Sequence, residues 1–257
     1  MPDVPSAHRP PGRARRIAFT AVAVLATVLT LLLTVATVTA LFGAESSDGD
    51  RLATVAHLPW LALGWCAGFA AMLRGAARRP AAMQQAVAML LGLYLTGMVL
   101  TGEDDPVFYV GFGVVVVALV LLHPARGEVF RPGAAGVSPW LLVLSLLGVG
   151  PLFVYAAALG GLARTSGADG PFYTGVAATA VAVPLVGVVA SLRAPGYRLA
   201  GWSAAAMLAG LGLGSLLYPA PGALGGPESA LALLGAAALA AATAAPSMGT
   251  VGEPAVG

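Results

Sequence analysis

The sequence predicts an all-α fold, a polytopic transmembrane bundle of about eight helices that divides into two parallel four-helix repeats. Three observations predict it. The 257 residues are 58% hydrophobic but only 9% charged, against about 25% charged in a soluble domain, so a water-soluble fold lacks the polar surface to cover itself. The mean hydropathy is +0.88, and the apolar residues gather into blocks long enough to cross a hydrocarbon core about 30 Å thick. The segments between blocks are short and rich in Gly, Pro, Arg, Asp and Ser. With no water in the bilayer to satisfy backbone groups, each block is read as a helix; a barrel would show alternating ten-residue segments.

The blocks run at about 17–42, 55–73, 81–101, 107–122, 140–163, 172–192, 199–218 and 229–245. The first follows Arg9, Arg13, Arg15 and Arg16, and VTA at 38–40 resembles a signal-peptide cleavage site. Its apolar length of about 26 residues exceeds the 7–15 of a secretory signal, so it reads as an uncleaved helix. The fourth, VFYVGFGVVVVALVLL, is short, but its Val and Leu density favours insertion. The fifth and sixth contain Gly150-Pro151 and Pro184. Proline leaves a carbonyl without its helical partner, so these positions are expected as helix breaks beside a midplane site. The eighth is mostly alanine and depends on Leu231, Leu233, Leu234 and Leu239, at about 0.5 kcal/mol each for insertion; a peripheral placement is its alternative. The whole chain, 1–257, reads as one integral membrane domain with a basic tail at 1–16 and a flexible tail at 247–257.

Charge sets the orientation. All 13 basic residues are arginine. With a cytoplasmic N-terminus, eleven of them (Arg9, Arg13, Arg15, Arg16, Arg74, Arg78, Arg79, Arg126, Arg131, Arg193 and Arg198) fall inside, and Arg51 and Arg164 outside, as the positive-inside rule requires. Arg74, Arg78, Arg79, Arg193 and Arg198 are therefore topology determinants, and their chemistry favours anionic headgroups. Both termini are therefore expected to be cytoplasmic, and the absence of lysine with the Ala, Gly, Val and Leu excess resembles the product of a GC-rich bacterial genome, so a bacterial cytoplasmic membrane is the expected location. Nucleic-acid binding is not expected, because no extra-membrane domain presents a groove or an aromatic platform. Trp60, Phe108, Tyr109, Phe172, Tyr173 and Tyr218 near outer ends, with Phe130, Trp140, Tyr197 and Trp202 near inner ends, read as interfacial anchors.

An internal repeat is expected from LRGAARRPA at 73–81 and LRAPGYRLA at 192–200. At this offset of 119 residues Ser47 matches Ser166, Asp50 Asp169, Gly68 Gly187, Arg74 Arg193, Arg79 Arg198 and Ala86 Ala205. The halves are 17–131 and 138–246, related by an axis along the membrane normal, as in parallel-repeat transporters. GxxxG patterns at Gly64 and Gly68 and at Gly210 and Gly214 mark helix-packing faces.

Few residues offer chemistry. Gln84 and Gln85 open the third block near the arginines, where interfacial hydrogen bonding is the first reading and cavity lining the second. His57 with Asp48, Asp50, Glu103, Asp104, Asp105 and Asp169 gathers in outer turns, without the spacing of any metal cage. His123 sits at the opposite side, and the single cysteine, Cys66, lies in an apolar run with no neighbouring base. No nucleophile motif or phosphate loop is present, so no enzyme activity, cofactor or metal is expected. The expected role is translocation of a small solute or lipid-like molecule. The alternative is a non-catalytic membrane subunit that packs against another membrane protein. The translocator reading calls for a polar midplane cavity touched by helices 5 and 6, and the subunit reading for a Gly/Ala face turned to lipid on helix 2 or 7.

Overall fold

The computed structural model describes residues 12–42, 47–102, 106–127, 129–166 and 170–245. Among them the regular structure is helical throughout: α1 (Arg13–Leu41), α2 (Asp48–Leu73), α3 (Pro80–Thr101), α4 (Pro106–Leu122), α5 (Pro139–Thr165), α6 (Gly170–Ser191), α7 (Tyr197–Leu217) and α8 (Gly226–Ala244). Each apolar block of the sequence falls on one of these. Seven are long and apolar enough to cross a membrane; α4, with 17 residues, is shorter. The chain is thus a membrane protein built as a helical bundle.

Burial separates an inner from an outer ring. Within their most apolar stretches, α6 is 72% buried, α7 67%, α3 56% and α2 44%, whereas α1, α5 and α8 reach only 17, 22 and 28%. The inner four are joined crosswise: α2 packs on α3 and on α7, and α6 packs on α7 and on α3. Outside them, α1 lies on α2 and α4, and α5 lies on α6 and α8. Small residues permit the closest approaches. Gly92 of α3 sits on the Ala182 backbone of α6, a Cβ there being 3.4 Å from the Ala182 Cα. A methyl group on Gly160 of α5 would overlap the Leu100 carbonyl of α3.

The basic segments share one end. Arg15 donates to the carbonyls of Leu121, Leu122 and His123, supplying donors for the last carbonyls of α4. Ala81 N–H donates to Pro195 O at 3.4 Å, and Gly133 N–H to Leu192 O at 2.8 Å. The turns holding Arg74, Arg78, Arg79, Arg193 and Arg198 and the connection holding Arg131 therefore meet at the same face, and the two echoing stretches of sequence touch each other. Arg193 takes a left-handed conformation, φ 48°, under the backbone of Gly133, where a side chain would overlap the Arg193 carbonyl.

Two expectations are corrected by the structure. The helix breaks expected at Gly150-Pro151 and Pro184 are not found, since α5 and α6 run through both prolines as α-helix; one missing N–H costs a membrane helix a single bond that its neighbours tolerate. The irregularity falls instead at Pro59 in α2 and near the end of α3, where Trp60–Cys66 and Leu95–Thr101 are π-helical. Trp60 and Tyr109 are buried, at 1% and 5% exposure, and so are core rings rather than interfacial anchors. Phe130, Phe172, Trp140 and Trp202 do lie exposed.

Candidate functional site

The inner helices carry two groups of buried polar contacts, one nearer the end where α2 and α6 begin, called the outer end here, and one nearer the arginine-bearing turns, called the inner; both start from the distorted α2. This helix begins early because Ser47 and Asp50 form a capping box: Asp50 N–H donates to Ser47 Oγ at 3.1 Å, and Ser47 N–H to Asp50 Oδ2 at 2.9 Å. His57 is thereby the tenth residue of the helix, about 14 Å below its start at 1.5 Å per residue. Two residues on, Pro59 has no N–H for the Val55 carbonyl. The ladder shifts, Trp60 N–H bonding back to His57 O, and then widens into the π turns. Gly210 of α7 accommodates the bulge: a Cβ there would lie 3.0 Å from Pro59 Cγ and 3.1 Å from Val55 O.

At the outer group, His57 Nδ1 lies 3.0 Å from Gly175 O and 3.3 Å from Thr179 Oγ1, both on α6. A carbonyl only accepts, so Nδ1 carries the proton of the neutral ring and Nε2 is left as the base. Gly175 makes room for the ring: a Cβ there would stand 3.2 Å from Nδ1, and the imidazole would have to shift by a few tenths of an ångström. The imidazole stacks on Trp60 at 4.5 Å, and aromatic contacts continue through Trp65 to Phe69 and Phe112. Toward the outer end, between the starts of α2 and α6, a cavity of about 30 Å³ is lined by Ser47, Asp50, Leu159, Tyr173, Val176 and Gly222. That is room for about two waters.

At the inner group, Gln85 is fully buried on α3. Its Nε2 donates to the carbonyls of Leu63 and Gly64, at 2.9 and 2.8 Å, within the π turns of α2, and lies 3.3 Å from Ser203 Oγ of α7. Ser203 Oγ is in turn 3.1 Å from Leu63 O and 2.8 Å from Leu199 O. Gln84 points elsewhere, donating to the carbonyls of Val129 and Arg131 and so fastening the connection after α4. Both side-chain oxygens, Gln84 Oε1 and Gln85 Oε1, are buried without a partner. Both glutamines are therefore buried: Gln84 bonds to the connection that carries Arg131 at the arginine-rich end, and Gln85 to the π turns of α2.

The GxxxG glycines face inward. Gly64 lies against Met89, and Gly68 against the Gln85 amide, both of α3. Gly210 and Gly214 of α7 receive α2, at Pro59 and Val55 and at Leu52 and Ala56. Neither pattern presents a face to lipid. Gly68 and Gly187, equivalent in the sequence repeat, meet different neighbours, Gln85 and Ser145. Gly150 and Pro151 are exposed on α5, and Pro184 is buried in α6. Besides the outer cavity, three voids lie along α1; none of these four occupies mid-depth between α5 and α6.

Among the described residues no group of three or more His, Cys, Asp or Glu is placed to hold a metal ion. Of the acids named with His57, Asp48 and Asp50 begin α2, while Glu103, Asp104, Asp105 and Asp169 lie outside the described residues. Cys66 is half-buried, its Sγ 3.9 Å from Thr27 O. His57 is the residue the sequence reading misplaced, by starting the second block at 55. The SxxD pattern at 47–50 marks the true start and carries His57 into the helix. No family model, curated protein or solved structure matches this chain.

Proposed function

We propose that the chain is a translocator of a small solute in a bacterial cytoplasmic membrane, built from two parallel halves, α1–α4 and α5–α8, and held here in a closed state. The observation that carries this reading is where the buried polar groups fall. His57 meets Gly175 and Thr179, and Gln85 meets Ser203; both contacts cross from one half to the other, at two depths of one seam. A two-fold axis along the membrane normal would exchange α2 with α6 and α3 with α7, and so turn the α2–α7 packing into the α6–α3 packing that is also present. The touching turns at 73–80 and 192–198 would straddle that axis. Opening along the seam exposes His57, Thr179, Gln85 and Ser203 to water in turn, and the π turns of α2 and α3 are its natural flexing points.

The small outer cavity, with room for about two waters, favours a second reading, a subunit whose interior stays shut and which acts through its lipid-facing helices. Cysteine accessibility separates the two. In a Cys66→Ser background, Thr179→Cys should react with a membrane-impermeant maleimide from the outer side and Ser203→Cys from the arginine-rich side, in proteoliposomes of known orientation. If neither reacts while Glu228→Cys is labelled to completion, the seam does not open and the translocator reading fails. The sidedness is checked separately: a tag after Gly257 should be shielded from external protease in intact cells.

A further inference from the structure

Two voids with the same walls lie along α1. At the arginine-rich end, a recess of about 300 Å³ is bounded by Arg16, Phe19 and Thr20 of α1, by Met72 and Gly75 at the end of α2, and by Pro124 after α4. Farther along α1, a groove of about 300 Å³ opens between Leu29 and Leu33, Phe69 of α2, and Gly111, Phe112 and Val115 of α4. Its lining is almost wholly apolar. From Phe19 to Leu29 the helix rises about 15 Å, which is half the thickness of a hydrocarbon core of about 30 Å. With the recess at headgroup depth, the groove, lined from Ala26 to Leu33, lies at acyl-chain depth and reaches about the bilayer centre.

Charge identifies the occupant. Arg15 is engaged with the last carbonyls of α4, but the exposed Arg16 guanidinium at the mouth of the recess makes no hydrogen bond or ion pair among the described residues, and the same holds for Arg74 and Arg78, on the turn whose Gly75, Ala76 and Ala77 line the other wall. Among the described residues the acids are Asp48, Asp50 and Glu228, and they begin α2 and α8 at the opposite end. The cations around the recess therefore lack a counter-ion from the described chain, beside a groove that only hydrocarbon suits. We propose that recess and groove form one site for an anionic diacyl phospholipid, its phosphate held at Arg16 with Arg74 and Arg78 and one acyl chain lying between α1 and α4 over Phe69 and Phe112.

The test is native mass spectrometry of the full-length protein released from nanodiscs of equal phosphatidylglycerol and phosphatidylcholine. Wild type should retain phosphatidylglycerol at least about fivefold over phosphatidylcholine. Arg16→Gln should reduce that preference severalfold, whereas Arg198→Gln, on another turn, should leave it unchanged. Gly111→Leu fills the groove from a position where a Cβ meets nothing within 4 Å, and should lower retention of both lipids without loss of the folded, monodisperse protein. The proposal is overturned if wild type retains the two lipids alike, if Arg198→Gln acts as strongly as Arg16→Gln, if folded Gly111→Leu retains lipid as wild type does, or if inorganic phosphate displaces the phosphatidylglycerol.

Discussion

Replacing Gln85 by Met removes the side-chain amide that joins α3 to the π turns of α2 while keeping nearly the same volume. Two hydrogen bonds to the carbonyls of Leu63 and Gly64, at 2.9 and 2.8 Å, are lost, and the longer 3.3 Å contact with Ser203 Oγ goes with them. Interhelical hydrogen bonds in membrane proteins average about 0.6 kcal/mol, which gives about 1.2 kcal/mol for the pair. The two carbonyls then fare differently. Leu63 O keeps Ser203 Oγ at 3.1 Å, whereas Gly64 O loses the one side-chain donor it has among the described residues and is left to the helix backbone. Against this, Gln85 Oε1 is itself buried without a partner, and its removal returns part of the loss. The expected destabilisation is about 1 kcal/mol, read by reversible unfolding in mixed detergent–lipid micelles. Ser203→Ala alone should cost less, because Gln85 still serves Leu63 O. The double variant should cost more than the sum, since Leu63 O then loses both partners. Additive effects, or a Gln85→Met variant as stable as wild type, would refute the claim that this amide compensates the distorted backbone.

Gly210→Val should destabilise by about 1–3 kcal/mol, the range for overpacking, and Pro59→Ala in the same chain should recover much of it by restoring an N–H for the Val55 carbonyl and removing the ring; an unfolding midpoint reads both. Arg15→Ala should leave the carbonyls of Leu121, Leu122 and His123 without their donor and lower stability by about 1 kcal/mol, seen as faster hydrogen exchange confined to the end of α4. Burial, aided by the nearby Arg15 cation, holds the His123 imidazole below its ordinary pKa of 6.5, and the Ala125 N–H donated to Nδ1 at 3.1 Å likewise requires the neutral ring. The folded chain therefore binds fewer protons here than the unfolded chain. The stability from this residue is fully present above about pH 6.5 and falls as pH drops below it, so wild type should lose more stability than His123→Gln between pH 7.5 and 5.

The positions of the helices were legible because burial in hydrocarbon demands long uninterrupted apolar runs, and Leu-, Val- and Ala-rich blocks leave little freedom in where they sit. The inner contacts were not, because composition does not say which way a side chain turns. Trp60 resembles an interfacial anchor by its place near a block end, yet the early helix start at Asp48 sinks it into the core. Pro151 and Pro59 are the same residue type. One stands on an exposed face where α-helix continues past it, whereas the other presses on Gly210 and is followed by π turns. Gln84 and Gln85 are adjacent, but successive helical residues diverge by about 100°, so one reaches the connection after α4 and the other the centre of the bundle. Only contact across helices separates such pairs.

Because α6 has protein on nearly every side, with Ala177, Ala180, Val181, Ala182, Val186 and Ala190 shut away around its circumference, it has no direction in which to grow. In relatives of this chain, its side chains should be exchanged only among the smallest apolar types, whatever their rank in oiliness. The outward flank of α1, at Leu25, Leu32 and Val35, answers only to fluid hydrocarbon and should drift freely among Leu, Ile, Val and Phe.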